Sequence, residues 1–227
     1  MKIELISKAA LPTRFGDFVL HLFRDAEGRD SMVLACGVPR DGCLVRIHSE
    51  CATGDILGSL RCDCRNQLES SLSKISAEGS GLLVYMRGHE GRGIGLGNKI
   101  MAYALQDLGM NTVQANLCLG FPADARDYSA AAEMVRHFGL RRIRLLTNNQ
   151  HKMEALESAG IHIEERVPLW TGCNPHNSGY LRDKIRLMGH LPECPDKAQD
   201  KQGEQDGHEI RFAKIPGERK RSGGRGF

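Results

Sequence analysis

The chain has 227 residues, with 31 Lys and Arg against 28 Asp and Glu and 41% hydrophobic residues. That length is between one and two domains of about 150 residues and can bury a core without disulfide staples. A net charge of +3 is no footprint for nucleic acid, no apolar run approaches the ~20 residues of a membrane span, and Lys2, Glu4 and Lys8 interrupt any signal-peptide core.

Residues 5–35 lack helical periodicity and contain several extended stretches, so the N-terminal part is expected to be mainly β. Leu44 to His48 alternates apolar and polar side chains and reads as a strand. In Gln67–Ala77, Leu68, Leu72 and Ile75 follow at spacings of four and three, which suits an amphipathic helix stopped by Gly79. Leu82–Met86 is a short apolar strand, and a glycine-rich loop follows it. Asn98–Leu108 is predicted as a helix with an Asn cap and a stop at Gly109, and Ser129–Phe138 as another. Ile143–Leu146 reads as a strand, Asn149–Ser158 as a helix closed by Gly160, and Ile161–Val167 as a strand. Strands alternating with helices imply an α/β fold with α+β elements, a mixed sheet and flanking helices. Residues 1–191 form the expected globular domain. Residues 192–227 contain almost no large apolar groups and are expected to be a disordered tail, basic from Arg211 onward.

Three of the eight cysteines stand close together, as Cys51, Cys62 and Cys64. No secretion signal accompanies them, so a cytoplasmic, reducing compartment with metal-binding thiols is expected rather than a disulfide framework. Thiolates suit zinc, and three ligands rather than four leave a coordination position for water, the arrangement of a catalytic site. His48 is near in sequence but on a strand that can turn it elsewhere. Ordinary buried thiols are the plainer alternative.

The run Arg87-Gly88-His89-Glu90-Gly91-Arg92-Gly93-Ile94-Gly95 lies between a strand and a helix. Glycines and a helix N-terminus bring amides to anionic oxygens, and Arg87 and Arg92 can fork onto phosphate. Glu90 pairs with Arg92 or accepts hydrogens from a base. The run is neither a Walker loop nor a dinucleotide fingerprint. Asp124 and Arg126, two apart in an extended segment, project to one side, for proton transfer and phosphate contact or simply as a salt bridge. Thr147 and Lys152 follow the strand end at Leu146, where ligands of α/β sheets bind. The plainer alternative there is a helix cap by Asn149 and a solvated lysine.

The order of these groups resembles the GTP cyclohydrolase II family from about Leu11 to Leu191. The resemblance is carried by R-I-H-S-E-C-A-T-G-D at 46–55, S-L-R-C-D-C at 59–64, R-G-H-E-G-R-G-I-G-L at 87–96, N-K-I-M-A-Y-A-L-Q-D at 98–107 and T-V-Q-A-N at 112–116. L-G-F-P-A-D-A-R-D-Y at 119–128, R-L-L-T-N-N at 144–149 and M-G-H-L at 188–191 complete it. The resemblance implies conversion of GTP to formate, pyrophosphate and 2,5-diamino-6-(5-phosphoribosylamino)pyrimidinone, the first step of riboflavin synthesis. It implies a zinc ion on Cys51, Cys62 and Cys64, magnesium with the triphosphate, and a homodimer.

The GTP contacts it implies are Arg46, Ile47, His48, Ser49, Glu50, Gln67, Glu90, Gly91, Arg92, Thr112, Thr147 and Lys152. It makes Asp124 a proton acceptor and Arg126 a nucleophile on the α-phosphorus. A guanidinium with a pKa above ~12 is a poor nucleophile, so charge stabilisation is the physical alternative for Arg126. Tyr103 stands where some relatives carry Met and retain the formyl group, so complete deformylation is implied. Arg65, Gly97 and Gln150-His151 depart from the family pattern without touching an implied ligand. A non-catalytic, zinc-stabilised nucleotide-binding protein is the alternative of another class. An enzyme making the same pyrimidine for a secondary metabolite is the alternative within the family.

Overall fold

The computed structural model describes residues 2–191; the expected tail at 192–227 lies outside the described residues. Seven strands form one sheet in the order β1-β2-β3-β5-β4-β6-β7. The first three, β1 (Ile3–Thr13), β2 (Gly16–Asp25) and β3 (Asp30–Cys36), give the mainly β start that the lack of helical periodicity implied, and they pair as an antiparallel meander. β3 runs antiparallel to β5 (Gly81–Met86). From β5 onward the sheet is parallel, through β4 (Leu44–Ser49), β6 (Arg142–Leu146) and β7 (His162–Val167). The sheet is therefore mixed, with helices flanking its parallel half.

Alternation along β4 sorts side chains between two cores. Val45 and Ile47 point to one, with Leu82, Val84, Ile143 and Leu145 and the helices α4 (Ser129–His137) and α5 (Gln150–Ser158). Leu44 points to the other, with Leu72 and Ile75 of α1 (Cys64–Glu78). Two and four positions on from Leu44, Arg46 and His48 follow on that same side toward the strand's C-terminal end.

Several helix starts depart from the periodicity. α1 begins three residues before Gln67, with Asp63 as its N-cap, because the polar Cys64-Arg65-Asn66 turn carries no apolar stripe. The next helix, α2, runs Gly95–Asp107, so Asn98 is inside it and not its cap; the Asn98 amide donates to the Ile94 carbonyl at 2.8 Å. A short helix, α3 (Thr112–Cys118), is announced by Asn111 and Gln114, which form a reciprocal capping box. α6 (Ser178–Leu187) closes the described chain. Among the described residues no helix is long and apolar enough to cross a membrane.

Candidate active site

A cleft opens at the C-terminal ends of the parallel strands β4, β5 and β6, where strand ends and the loops after them converge. It encloses about 1080 Å³ when the open solvent at its mouth is counted. Arg46, His48, Ser49 and Glu50 line it from the end of β4, and Glu90, Gly91 and Arg92 from the glycine-rich loop. Gln67, Tyr103, Thr112, Arg126, Thr147, Lys152 and all three clustered cysteines complete the expected set. Two of the expected residues do not line it. Ile47 buries its side chain in the core on the other face of β4, and its carbonyl accepts from Lys152 at 2.8 Å. Asp124 sits behind Arg126, which takes both carboxylate oxygens at 2.8 and 2.5 Å.

The cysteine cluster is built by a tight turn, Ala52–Ile56, and the start of α1. The Cys51 and Cys62 sulfurs are 3.7 Å apart, and all three lie within 4.8 Å of one another. A tetrahedral zinc with ~2.3 Å bonds would separate its sulfurs by about 3.8 Å, so this donor set fits such an ion. Gly54 makes the approach possible: a Cβ there would stand 2.8 Å from the Cys62 sulfur and 3.1 Å from that of Cys51. The Gly54 amide donates to the Cys51 sulfur at 3.4 Å, and the Lys99 ammonium does so at 3.1 Å. Donation from Cys62, Cys64 and Lys99 holds the Cys51 thiol well below its ordinary range. That charge pushes Cys62 up to about 11 and raises Cys64 as well. His48 is turned away from the cluster. Its Nε2 meets the Asp55 carboxylate at 3.1 Å, and Asp55 also accepts from Tyr85 at 2.8 Å and from the Cys51 amide at 3.0 Å.

Glu90 does not pair with Arg92. It is buried, takes Lys99 at 2.6 Å and accepts from the Ala52 amide at 2.6 Å, which ties the glycine-rich loop to the turn after Cys51. Arg92 has φ +69° and is the one non-glycine residue with positive φ among the described residues. Its carbonyl accepts from the Ala125 amide at 3.0 Å, and a Cβ at Gly93, whose φ is +89°, would crowd the Ala125 backbone at 3.2 Å. The glycines thus let the loop dock on the 123–126 segment that carries Arg126. Arg87 lies outside the cleft, 4.0 Å from Glu50. Tyr103 is packed between cations, with the Arg61 guanidinium 4.4 Å and the Lys99 ammonium 5.7 Å from its ring centroid. Its hydroxyl is 3.4 Å from that of Thr53. Burial raises its pKa, which keeps the phenol protonated.

At the other end of the cleft stand cations with little counter-charge. Lys152 is only 5% exposed, not the solvated lysine of the plainer alternative. Burial and the neighbouring Arg46 and Arg126 push its pKa well down. Arg46 is equally buried and lowered to about 10, again by burial first. It donates to the Leu146 carbonyl at 2.8 Å and to Gln67 at 2.6 Å, while its Nε has no partner. Asn149 does cap α5, accepting from the His151 amide at 2.9 Å, as the plainer alternative had it. For Arg126, Asp124 overcomes the effect of burial and raises the pKa further, so the guanidinium stays charged. His89 is lowered to about 4 by burial and by Arg126 and Lys152, and bridges Ser49 and the Asp127 carbonyl as a neutral ring.

The cleft also contains residues that spacing alone did not single out: Arg61, Lys99, Tyr180, Lys184 and His190. Lys99 stands in the N-K-I-M-A-Y run, but only its helical position opposite Cys51 reveals it. Lys184 and Tyr180 come from α6, and His190 from the M-G-H-L segment after it.

The family model for GTP cyclohydrolase II matches residues 4–168. GTP cyclohydrolase-2 of Azotobacter vinelandii is 54% identical over 194 residues, covering 84% of this chain and 93% of its own. GTP cyclohydrolase-2 of Proteus mirabilis is 53% identical, covering 84% of this chain and 97% of its own. Among solved structures, a two-domain 3,4-dihydroxy-2-butanone 4-phosphate synthase from A. baumannii aligns with 74% of this chain and 40% of its own, at TM-score 0.44 and 18% identity. That likeness is too distant to bear on the site. The family match spans the cysteine cluster, the glycine-rich loop and the Arg126 segment together, and the chain belongs to the GTP cyclohydrolase II family.

Proposed function

We propose that this protein hydrolyses GTP to formate, pyrophosphate and 2,5-diamino-6-(5-phosphoribosylamino)pyrimidinone, the first step of riboflavin synthesis. The observation that carries the proposal is one cleft holding three zinc-spaced thiols at one end and buried, uncompensated cations at the other. GTP presents the matching pair of groups, an electrophilic imidazole carbon and a polyanion.

Cys51, Cys62 and Cys64 would hold the zinc, which when bound supplies an activated water for attack on that carbon. Lys99 and the Gly54 amide hold Cys51 as a thiolate ready for metal. Tyr103, kept protonated by burial, can donate a proton or polarise the formyl carbonyl in the second hydrolysis. Arg46 and Lys152 attract the substrate's anionic groups, because an anion returns to them the stabilisation that burial removed. Arg126 is locked as a cation by Asp124. This supports stabilisation of charge at the α-phosphorus over attack by a neutral guanidine. The same ion pair favours an ionised Asp124. Magnesium accompanies the triphosphate as its counter-ion. Ile56 and Leu57, 72% and 77% exposed on the metal-site turn and just after it, offer apolar surface for the homodimer that the family implies.

Incubation with GTP and Mg²⁺, with formate, pyrophosphate and the pyrimidine measured separately, tests the proposal. All three should accumulate in equal amounts. Binding of GTP without any product would favour the non-catalytic alternative.

A further inference from the structure

The family match ends at residue 168, yet the cleft is closed by residues beyond it, among them Lys184 of α6. Lys184 is 6% exposed and donates to Asp63 Oδ1 at 2.5 Å. Asp63 is 1% exposed and stands between two of the clustered cysteines, Cys62 and Cys64. Its second oxygen accepts from the Gln67 amide at 2.6 Å. The Gln67 side-chain oxygen Oε1 accepts from Arg46 at 2.6 Å, and Arg46 donates onward to the Leu146 carbonyl at 2.8 Å. A single chain of bonds therefore links α6, the Cys62–Cys64 turn, the first turns of α1 and the cationic floor of the cleft.

Asp63 is a buried carboxylate set among thiols that must themselves carry negative charge to bind a metal. Without a cation, burial and like-charge repulsion would work against both. Lys184 is the cation in contact with it. We propose that Lys184 is a positioning residue: through Asp63 it holds the Cys62–Cys64 turn in its metal-binding geometry, and through Gln67 it fixes the direction of Arg46. The inference rests on the cysteine cluster being a zinc site, and it adds a part of the chain outside the matched segment to the machinery of that site.

The test uses full-length, zinc-loaded protein as wild type, Lys184→Met, Lys184→Arg, Asp63→Asn and the Lys184→Met/Asp63→Asn double variant. Two readouts are taken: the rate of zinc loss to excess chelator, and the separate changes in KM and kcat for GTP. Losing an outer partner of metal ligands costs about 10–100-fold in metal affinity or activity. Lys184→Met is therefore expected to speed zinc loss at least about 10-fold and to raise KM through the loosened Arg46. Lys184→Arg should keep zinc near the wild-type rate. The double variant, with no buried charge left unpaired, should lose zinc more slowly than Lys184→Met alone. Unchanged zinc loss in Lys184→Met with a raised KM would overturn the inference and make Lys184 a substrate contact only. Strictly additive effects of the two substitutions would overturn it as well. Should Lys184→Met fail to fold, Lys184→Arg losing zinc as fast as the double variant overturns it. Wild-type protein that holds no stoichiometric zinc would instead remove the zinc-site reading beneath it, an outcome visible before any variant is made.

Discussion

The two ends of the cleft treat charge in opposite ways. Around the cysteines, each buried cation already has a carboxylate: Lys99 has Glu90 at 2.6 Å, and Lys184 has Asp63 at 2.5 Å. Around Arg46 and Lys152, neutral carbonyl and amide oxygens are the direct partners, and among the described residues no carboxylate makes an ion pair with either. Under the proposed function this division has a reason: an end that would hold a doubly charged ion on anionic sulfurs has its other charges settled beforehand, while an end that would attract a polyanion keeps its cations unsettled, at a cost in stability that the ligand would relieve. Arg126 belongs to both patterns, since it faces the cleft and yet is held by Asp124.

The largest effect should come from removing the metal ligands. The Cys62→Ser/Cys64→Ser double variant is expected to bind no zinc and form no formate, a loss well beyond the ~10–100-fold of an outer partner. Metal analysis beside a formate assay checks it, and stoichiometric zinc surviving in that variant would break the assignment. If the two ends act separately, the same variant still releases pyrophosphate from GTP. Loss of both products, with GTP binding intact, would merge what is here divided.

Next in size is Arg126→Ala. Losing one stabiliser of developing charge costs about 3 kcal/mol or more, roughly 100-fold in rate, and pyrophosphate release should fall by that factor. Formate measured in the same samples then orders the steps. Formate without pyrophosphate means that the cysteine end works on intact triphosphate.

Lys152→Met separates binding from folding. It is expected to weaken GTP binding about 10-fold or more while stabilising the folded protein by ~1 kcal/mol, because a buried unpaired charge is removed. Thermal melts and calorimetric GTP titration would show the two changes with opposite sign. The pH dependence follows from linkage. The folded pKa of Lys152 lies below its unfolded value, so between the two the unfolded chain binds more protons and Lys152 destabilises less as pH rises. The stability gain of Lys152→Met should therefore be largest at low pH and shrink toward pH ~10. A gain that grows with pH would contradict the burial argument.

The smallest effect is expected from ending the chain after Leu191. The family motifs stop there, and turnover should stay within about 2-fold of wild type, the scale of changes away from named interactions. A large fall in kcat of such a folded truncation would extend the site past Leu191.

Much of this was legible from residue order. Cys51, Cys62 and Cys64 stand out by type and spacing, and the fold gathers them into one cluster whose donor atoms could hold a metal. The mainly β first third, the strands at 44–49, 81–86 and 142–146 and the helices after them follow from periodicity and glycine stops. These signals are local: each rests on neighbours within about two turns of chain. The start of α1 at Cys64 escaped because its first turn is polar, and the start of α2 at Gly95 because glycines hide a helix.

What only the tertiary structure decided is which groups face one another. Asp63 and Lys184, far apart in sequence, have no periodic signature, and Glu90 and Lys99, though near in sequence, meet only because the glycine-rich loop folds back onto α2, so neither pair could be matched beforehand. Alternation along 44–48 already puts Ile47 and His48 on opposite sides of the strand, but only the packing shows that one side is core and the other cleft. The composition set the charge of Lys152. Its burial was decided only when α5 carried it against the end of β4, where the Ile47 carbonyl accepts from it.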